Sequence, residues 1–469
     1  MYADKRSNVT ANVFIAASPE EIKIKYDVLE KDVDFTDMVA KVGGWNRVAA
    51  TYDDHDFGIN DGDKSYAHIP ESQQLFWDFT EEPADSEKRK QSGVYSSKEY
   101  SIDLRDHVKY SDFLTNDSEQ LTFTYKIVML DTRSNRDIVP RFWRRRSDSR
   151  PTDGDFLGEE QWSWLAKELR SDVDLIILGS SIQLLPTDKF VEEFWGMFPR
   201  ARERMISLIL GASTPNVIVL SGDVHYAEVS KMKCKWKETS IKETVIKSSI
   251  LWELTSSGLT HTFYRKAPLK KDTLNLPADY SAKSRPQLLK SLVYNLYQAS
   301  FPSHYRELRY SDHYSGMNFG LLDINIDTSH AAAVSDLRSD EADVNVNVDE
   351  NQCRNEAFEG KGNSSSGCIQ PLLKTEVSPL IVTSVTFRAM NHLGEAVITK
   401  TIPLQARTPY SAKEDVTCEP IWSKVSHWRS FLMYFTVFTP LVLVILATAA
   451  AFIFALRTAM LSISSLLKC

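Results

Sequence analysis

From residue 1 to about 325, apolar β-branched runs alternate with amphipathic stretches, the alternation of an α/β domain. Thr124–Leu130 (TYKIVML), Leu175–Leu178 (LIIL) and Val217–Leu220 (VIVL) predict strands, and Glu159–Leu169 and Phe190–Leu210 predict helices. Pro199 lacks an N–H and predicts a break or kink in the second of these helices. Trp162, Trp164 and Leu165 sit at a helical spacing that reads as core packing. Residues 329–367 are acidic, then rich in Asn, Ser and Gly, and read as a disordered insertion. VTSVTFRAM and EAVITKTIPL flank Asn391-His-Leu-Gly394 and predict a hairpin closing the same domain. The expected organisation is one domain over 1–405, a stalk over 406–428, a transmembrane helix over 429–457 and a tail over 458–469.

The transmembrane expectation rests on Phe431–Leu456, which holds no charged residue. As a helix the run would cover about 39 Å, enough for a ~30 Å hydrocarbon core with tilt. Trp422 and Trp428 precede it, where aromatic rings favour the interface. Basic residues are balanced across it, with Lys424 and Arg429 before and Arg457 and Lys468 after. Sequons at Asn8, Asn116 and Asn363, and cysteines at 353, 368 and 418 that could form a disulfide, favour a glycoprotein with its main body outside the cytosol. The expected localisation is a single-pass membrane protein whose main domain is extracellular or luminal, touching the bilayer through its C-terminal helix.

Composition narrows the class. With 55 Lys+Arg against 63 Asp+Glu among 469 residues, the net charge of −8 leaves no evident nucleic-acid-binding surface. A hydrophobic content of 42% supports a packed core. Five cysteines are too few for a disulfide-built scaffold.

The densest polar cluster is Ala50-Thr-Tyr-Asp53-Asp54-His55-Asp56-Phe-Gly58-Ile-Asn60-Asp61-Gly62-Asp63. It follows a short β-like lead, Arg47–Thr51, so its groups are expected where a strand ends, the edge at which α/β sheets form sites. Carboxylates at this density repel unless cations or water separate them, although an acidic surface loop has the same composition. Hard oxygen donors suit Ca²⁺, Mg²⁺, Mn²⁺ or oxidised iron, and histidine adds zinc. A second cluster, Ser221-Gly222-Asp223-Val224-His225, follows the strand candidate VIVL. Asp223 and His225 lie two apart, so extended backbone would point both to one side.

These residues carry a resemblance. ATYDDHDFGINDG is similar to the ATWDDHDYGxND signature of the PhoD-like alkaline phosphatase family, a branch of the calcineurin-like metallophosphatases. Further matching segments follow in order: Leu130-Asp-Thr-Arg133 with Arg136-Asp137, Leu157–Leu165, Gly179–Gln183, Ser221–Glu228, Glu253–His261 and Asn318-Phe-Gly320. The resemblance implies an α/β fold with a metallophosphatase-type β-sandwich core flanked by helices (α/β/β/α). It places Asp54 at a metal-ligand position, His55 at that of the histidine assisting the leaving group, and Asp223 and His225 at the final metal-ligand pair. It implies two or more metal ions, calcium or iron first, with manganese, magnesium or zinc as alternatives, and attack by a metal-activated hydroxide.

Arg133 and Arg136 follow a strand, where guanidinium groups either hold a phosphate or form ion pairs with Asp131 and Asp137. Asn60 and His261 complete the candidate substrate contacts, His261 equally as a structural hydrogen-bonding group. The basic run Arg141–Arg146 reads as a solvated loop. The family has an early strand and a Gly-Asp-x-x-Tyr-Ala-Asp motif supplying a bridging Asp; this chain opens Met1-Tyr2-Ala3-Asp4, resembling only the motif's last letters. That departure is expected to reflect truncation and to weaken metal binding. The leading expectation is a phosphoesterase acting on phosphate mono- or diesters. The alternative is a non-catalytic, membrane-anchored surface or receptor-like protein on a degenerate metallophosphatase fold.

Overall fold

The computed structural model describes residues 3–8, 13–103, 122–139, 153–187, 189, 193–239, 244–260, 262, 305–306, 312–326, 382–405 and 414–421. A short hairpin, β1 (Lys5–Asn8) with β2 (Val13–Ile15), opens the fold. Helices α1 (Pro19–Glu30), α2 (Val33–Lys41), the single turn α3 (Asp54–Phe57) and α4 (Ile69–Phe79) follow. Then come β3 (Ser96–Asp103), β4 (Thr122–Met129), α5 (Gly158–Glu168), β5 (Leu175–Ser180), α6 (Pro199–Leu210) and β6 (Val217–Ser221). Strands β7 (Ala227–Thr239), β8 (Thr244–Ser256), β9 (His313–Tyr314), β10 (Asn318–Ile326), β11 (Val382–Asn391), β12 (Ala396–Pro403) and β13 (Glu414–Pro420) complete it.

The large sheet has the order β13-β7-β8-β6-β5-β4-β3, with β9 beside β7. Its centre is parallel, β4-β5-β6-β8: crossovers through α5 and α6 set the first two pairs, and β8 lies beside β6 after the chain has run through β7. Strand β5 is buried along its whole length, which is why LIIL reads as a continuous apolar run. One face of this sheet presents Val128, Ile176, Leu178 and Val219 to Trp162 and Leu165 of α5 and Met205 and Ile209 of α6. The other presents Ile177, Ile218 and Leu254 to Val385, Phe387, Ile398 and Ile402 of the antiparallel sheet β10-β11-β12. The result is a mixed α/β fold: helices, large sheet, small sheet. Among the described residues, no helical residue joins the core between the two sheets. The aromatic residues around α1, α3 and α4 form a third core.

Several expectations are corrected. Arg47–Thr51 is no strand: Trp45–Arg47 forms a 3-10 turn, and the polar cluster enters on the helical turn α3. Pro199 starts α6 rather than kinking a longer helix, because a first-turn N–H has no intrahelical partner to lose. The expected transmembrane helix over 429–457 does not stand: among the described residues no helix is long and apolar enough to cross a membrane. The longest described helices, α1 and α6, have 12 residues each and bury one face against the cores. Twelve residues rise about 18 Å, short of a ~30 Å hydrocarbon core. The segment itself lies outside the described residues. Membrane localisation and bilayer contact, which rested on that helix, lose their basis with it. The insertion over 329–367, the sequons at 116 and 363, and Cys353 and Cys368 also lie outside the described residues. Glu414–Pro420, within the stretch read as a stalk, is an edge strand of the large sheet, and Cys418 is bonded to Cys234 opposite it on β7.

Candidate metal centre

The polar clusters meet where β4, β5 and β6 end, the carboxyl edge at which open α/β sheets build their sites. Asp53, Asp54 and Asp223 each bring a carboxylate oxygen within 4.8 Å of the others. Asp54 is only 6% exposed, so the group is a partly buried cluster of like charges. Burial, then the neighbouring charge of Asp53, holds the Asp54 carboxyl well above the usual carboxylate range, with Arg133 and His55 opposing. Three converging carboxylates, one of them buried, fit a hard cation, which would remove their mutual repulsion.

Local backbone explains the convergence. Asp223 (φ 68°) and His225 (φ 58°) are both left-handed, a conformation that costs an L-residue about 1–2 kcal/mol. The turn is held by Gly222 N–H on the Ser181 carbonyl at 3.1 Å and His225 N–H on Ser257 Oγ at 3.2 Å. The expected extended alternation of Asp223 and His225 is therefore wrong. Asp223 joins the carboxylate group by a turn, and His225 stands outside that group. Burial, then the nearby His55, pushes the His225 pKa down and favours the neutral imidazole that metals bind.

In α3, Asp54 Oδ2 accepts from Asp61 N–H at 2.9 Å, drawing the Asn60–Gly62 turn over the site. Asp61 is also left-handed, with φ 56°. Gly58 lies at φ 135°, and a Cβ there would meet the Tyr66 hydroxyl at 2.4 Å, so only glycine closes this turn. His55 Nδ1 lies 2.6 Å from Asp4 Oδ1, while Asp4 Oδ2 accepts from Asn60 N–H at 2.8 Å. Burial opposes protonation of His55. The Asp4 hydrogen bond and the charges of Asp54, Asp4 and Asp53 outweigh it and raise the pKa above its ordinary value. The Phe14 ring packs 5.4 Å from the imidazole.

The arginines behave differently from one of the two readings offered. Arg133 and Arg136 are both 0% exposed. Arg133 Nε and Nη2 donate to Asp53 Oδ1, the former at 2.8 Å, and its Nη1 pairs with Glu193. Arg136 pairs with Glu193 and donates to the carbonyls of Asp61 at 2.6 Å and Gly62 at 3.0 Å. Both are committed ion pairs, with partners other than the expected Asp131 and Asp137. Asp131 instead accepts from Tyr52 Oη, Val94 N–H, Arg133 N–H and the backbone and hydroxyl of Ser134, folding the loop that carries the arginines. Asn60 contributes its backbone amide. His261 lies outside the described residues.

Three functional candidates escaped the sequence reading. Asp53 stood in the acidic cluster with no assigned role, though the Asp53-Asp54 doublet was a signal. Asp4 was visible only as a letter of a partial motif. Glu193 has no local signature at all.

The PhoD-like phosphatase family profile matches residues 48–295, more than half of the chain. The chain belongs to that family. It is also similar to alkaline phosphatase D of Bacillus subtilis (strain 168), 28% identical over 125 residues. That stretch is 24% of this chain and 21% of the relative, so the match spans about a fifth of the relative's length. A solved structure described as "Structure of PhoD" aligns at 21% identity and a TM-score of 0.30, covering 44% of this chain and 39% of its own. A score that low carries no statement about shared architecture.

Proposed function

We propose that this protein is a metal-dependent phosphoesterase that hydrolyses phosphate mono- or diesters. The observation that carries the reading is the convergence of Asp53, Asp54 and Asp223 within 4.8 Å, one of them on a strained left-handed backbone. Family membership supports a phosphatase-type hydrolase. Asp53, Asp54 and Asp223 would hold the cations, with neutral His225 as a nitrogen donor beside them. When bound, such cations supply Lewis acidity that activates water and neutralises phosphoryl charge; calcium, iron, manganese, magnesium and zinc all suit this donor set.

The chain's own residues then divide the remaining work. Asp4 engages His55 Nδ1 at 2.6 Å, fixing the ring, so Nε2 is the nitrogen that would serve the substrate. Asp4 and the neighbouring carboxylates favour the imidazolium. A protonated His55 would therefore give its Nε2 proton to the departing alkoxide. The Asn60–Gly62 turn fixes Asp54 and Asp4 together, so proton donor and carboxylates keep one geometry. The buried arginines support the ligands and leave substrate charge to the cations.

The test is hydrolysis of p-nitrophenyl phosphate and bis-p-nitrophenyl phosphate by the full chain, after chelation and after adding back each metal. Metal-dependent turnover that falls at least about 100-fold in His55→Ala, with metal content unchanged, supports the assignment. The absence of both metal-dependent turnover and bound metal overturns it.

A further inference from the structure

One buried carboxylate near the centre belongs to no motif. Glu193 is 3% exposed and precedes the 3-10 turn Trp195–Met197. Its oxygens are divided between two guanidinium groups, Oε2 facing Arg133 and Oε1 facing Arg136. Each arginine also reaches a second target with another nitrogen. Arg133 grips Asp53 Oδ1 from Nε and Nη2, so Asp53 Oδ2 is the oxygen a cation would take. Arg136 grips the carbonyls of Asp61 and Gly62. That turn in turn donates Asp61 N–H to Asp54 and Asn60 N–H to Asp4. One side chain thus stands behind two of the three converging carboxylates and behind the aspartate that orients His55.

We propose that Glu193 is a positioning residue: through Arg133 and Arg136 it sets Asp53 and the Asn60–Gly62 turn, and so sets the cation affinity of the carboxylate cluster. The inference rests on the metal-centre reading above. Its physical basis is charge division. With Glu193 ionised, each guanidinium shares its charge between a remote carboxylate and the centre. With Glu193 neutral, the full charge of Arg133 falls on Asp53, pulling its carboxylate away and repelling an incoming cation. Partners one shell beyond the ligands typically change metal affinity by about 10–100-fold.

Mn²⁺ is the probe, titrated by electron paramagnetic resonance into the chelator-treated full chain. Glu193→Gln is expected to weaken Mn²⁺ binding about 10–100-fold. Combined with Asp53→Asn, the two losses should be clearly less than multiplicative, because part of one path ends at Asp53. A purely structural Glu193 would lower the melting temperature equally with and without Mn²⁺, whereas a positioning residue reduces the increment that Mn²⁺ adds. Unchanged Mn²⁺ affinity in folded Glu193→Gln, an equal melting loss in both conditions, or fully multiplicative losses overturns the proposal. If Glu193→Gln does not fold, Glu193→Asp keeps the charge but cannot reach both arginines. Its affinity must then fall severalfold, and an unchanged value counts against the proposal. A wild-type chain that binds no Mn²⁺ defeats the metal-centre reading itself; a wild type that binds, beside unaffected Glu193 variants, defeats this inference alone.

Discussion

Glu228, three residues beyond His225, is 0% exposed and faces two buried cations. Lys189 Nζ lies 2.5 Å from Oε2 and Arg306 Nε lies 2.8 Å from Oε1, the latter an ion pair by distance rather than a directed hydrogen bond. Gln183 Nε2 donates to the same carboxylate at 2.9 Å and to Thr255 Oγ1, which bonds Ser221 at the end of β6. Burial alone would raise this carboxyl, but Lys189 and Arg306 outweigh it and hold the pKa at about 2 against an ordinary 4.5. A depression of that size corresponds to about 3 kcal/mol in favour of the ionised form. Glu228→Gln keeps the shape and removes the charge that Lys189 and Arg306 face here. Breaking one side of a buried pair costs about 3–5 kcal/mol. Because the folded-state pKa is depressed, the wild-type contribution is complete above pH 4.5 and is lost as pH falls toward about 2. His313, held at about 3 by burial and then Arg306, stays neutral through most of that window and adds no compensating charge. Urea unfolding followed by tryptophan fluorescence should show Glu228→Gln about 3–5 kcal/mol less stable at pH 7, with the gap narrowing below pH 4.5. A loss under about 1 kcal/mol at pH 7, or one equally large at pH 3, refutes the reasoning.

Asp54 and His55 both carry raised pKa values in the folded chain, so between their unfolded and folded values the folded state binds more protons. Burial pushes His225 and His313 the other way, so the readout is a difference: as pH rises from 4 toward neutrality the melting temperature of chelator-treated wild type should fall relative to that of Asp54→Asn, and a difference independent of pH contradicts the reasoning. Gly58→Ala forces a Cβ against the Tyr66 ring at φ 135°, and thermal unfolding should record a loss of about 1–3 kcal/mol or more. Cys418→Ser removes the bond to Cys234 across 184 residues and should cost about 2–5 kcal/mol. Reduction of the wild type should cost the same, and an unchanged melting curve on reduction would count against a stabilising disulfide.

The parts of this molecule legible in the sequence are those with a local cause. LIIL and VIVL announce β5 and β6 because strands covered on both faces need apolar side chains at every position. The hairpin over β11 and β12 was visible from its turn, and Trp162 from its helical spacing. The acidic cluster and Asp223 do come together, but the cluster enters on the helical turn α3 rather than from the strand end that was expected, and His225 stands outside the carboxylate group. What failed required tertiary information. Alternation placed Asp223 and His225 on one side of a strand, whereas a turn with two left-handed residues presents them. Arg133 and Arg136 offered a phosphate clamp until burial with Asp53 and Glu193 showed their charges already committed. Asp4 and Glu193 meet residues 51 and 57–60 positions away, a separation no local pattern encodes.

The backbone at the centre also restricts how its metal preference can be redesigned. Positions 223 and 225 are left-handed, so β-branched or bulky donors are penalised there, and only glycine, asparagine, aspartate and histidine adopt the turn readily. Asp53 has ordinary extended dihedrals, φ −115° and ψ −161°, which suit any side chain. A softer or longer donor can therefore be introduced at 53 without backbone cost, while the same change at 223 would first have to rebuild the turn. Retuning this centre is a problem of one permissive position facing two restrictive ones.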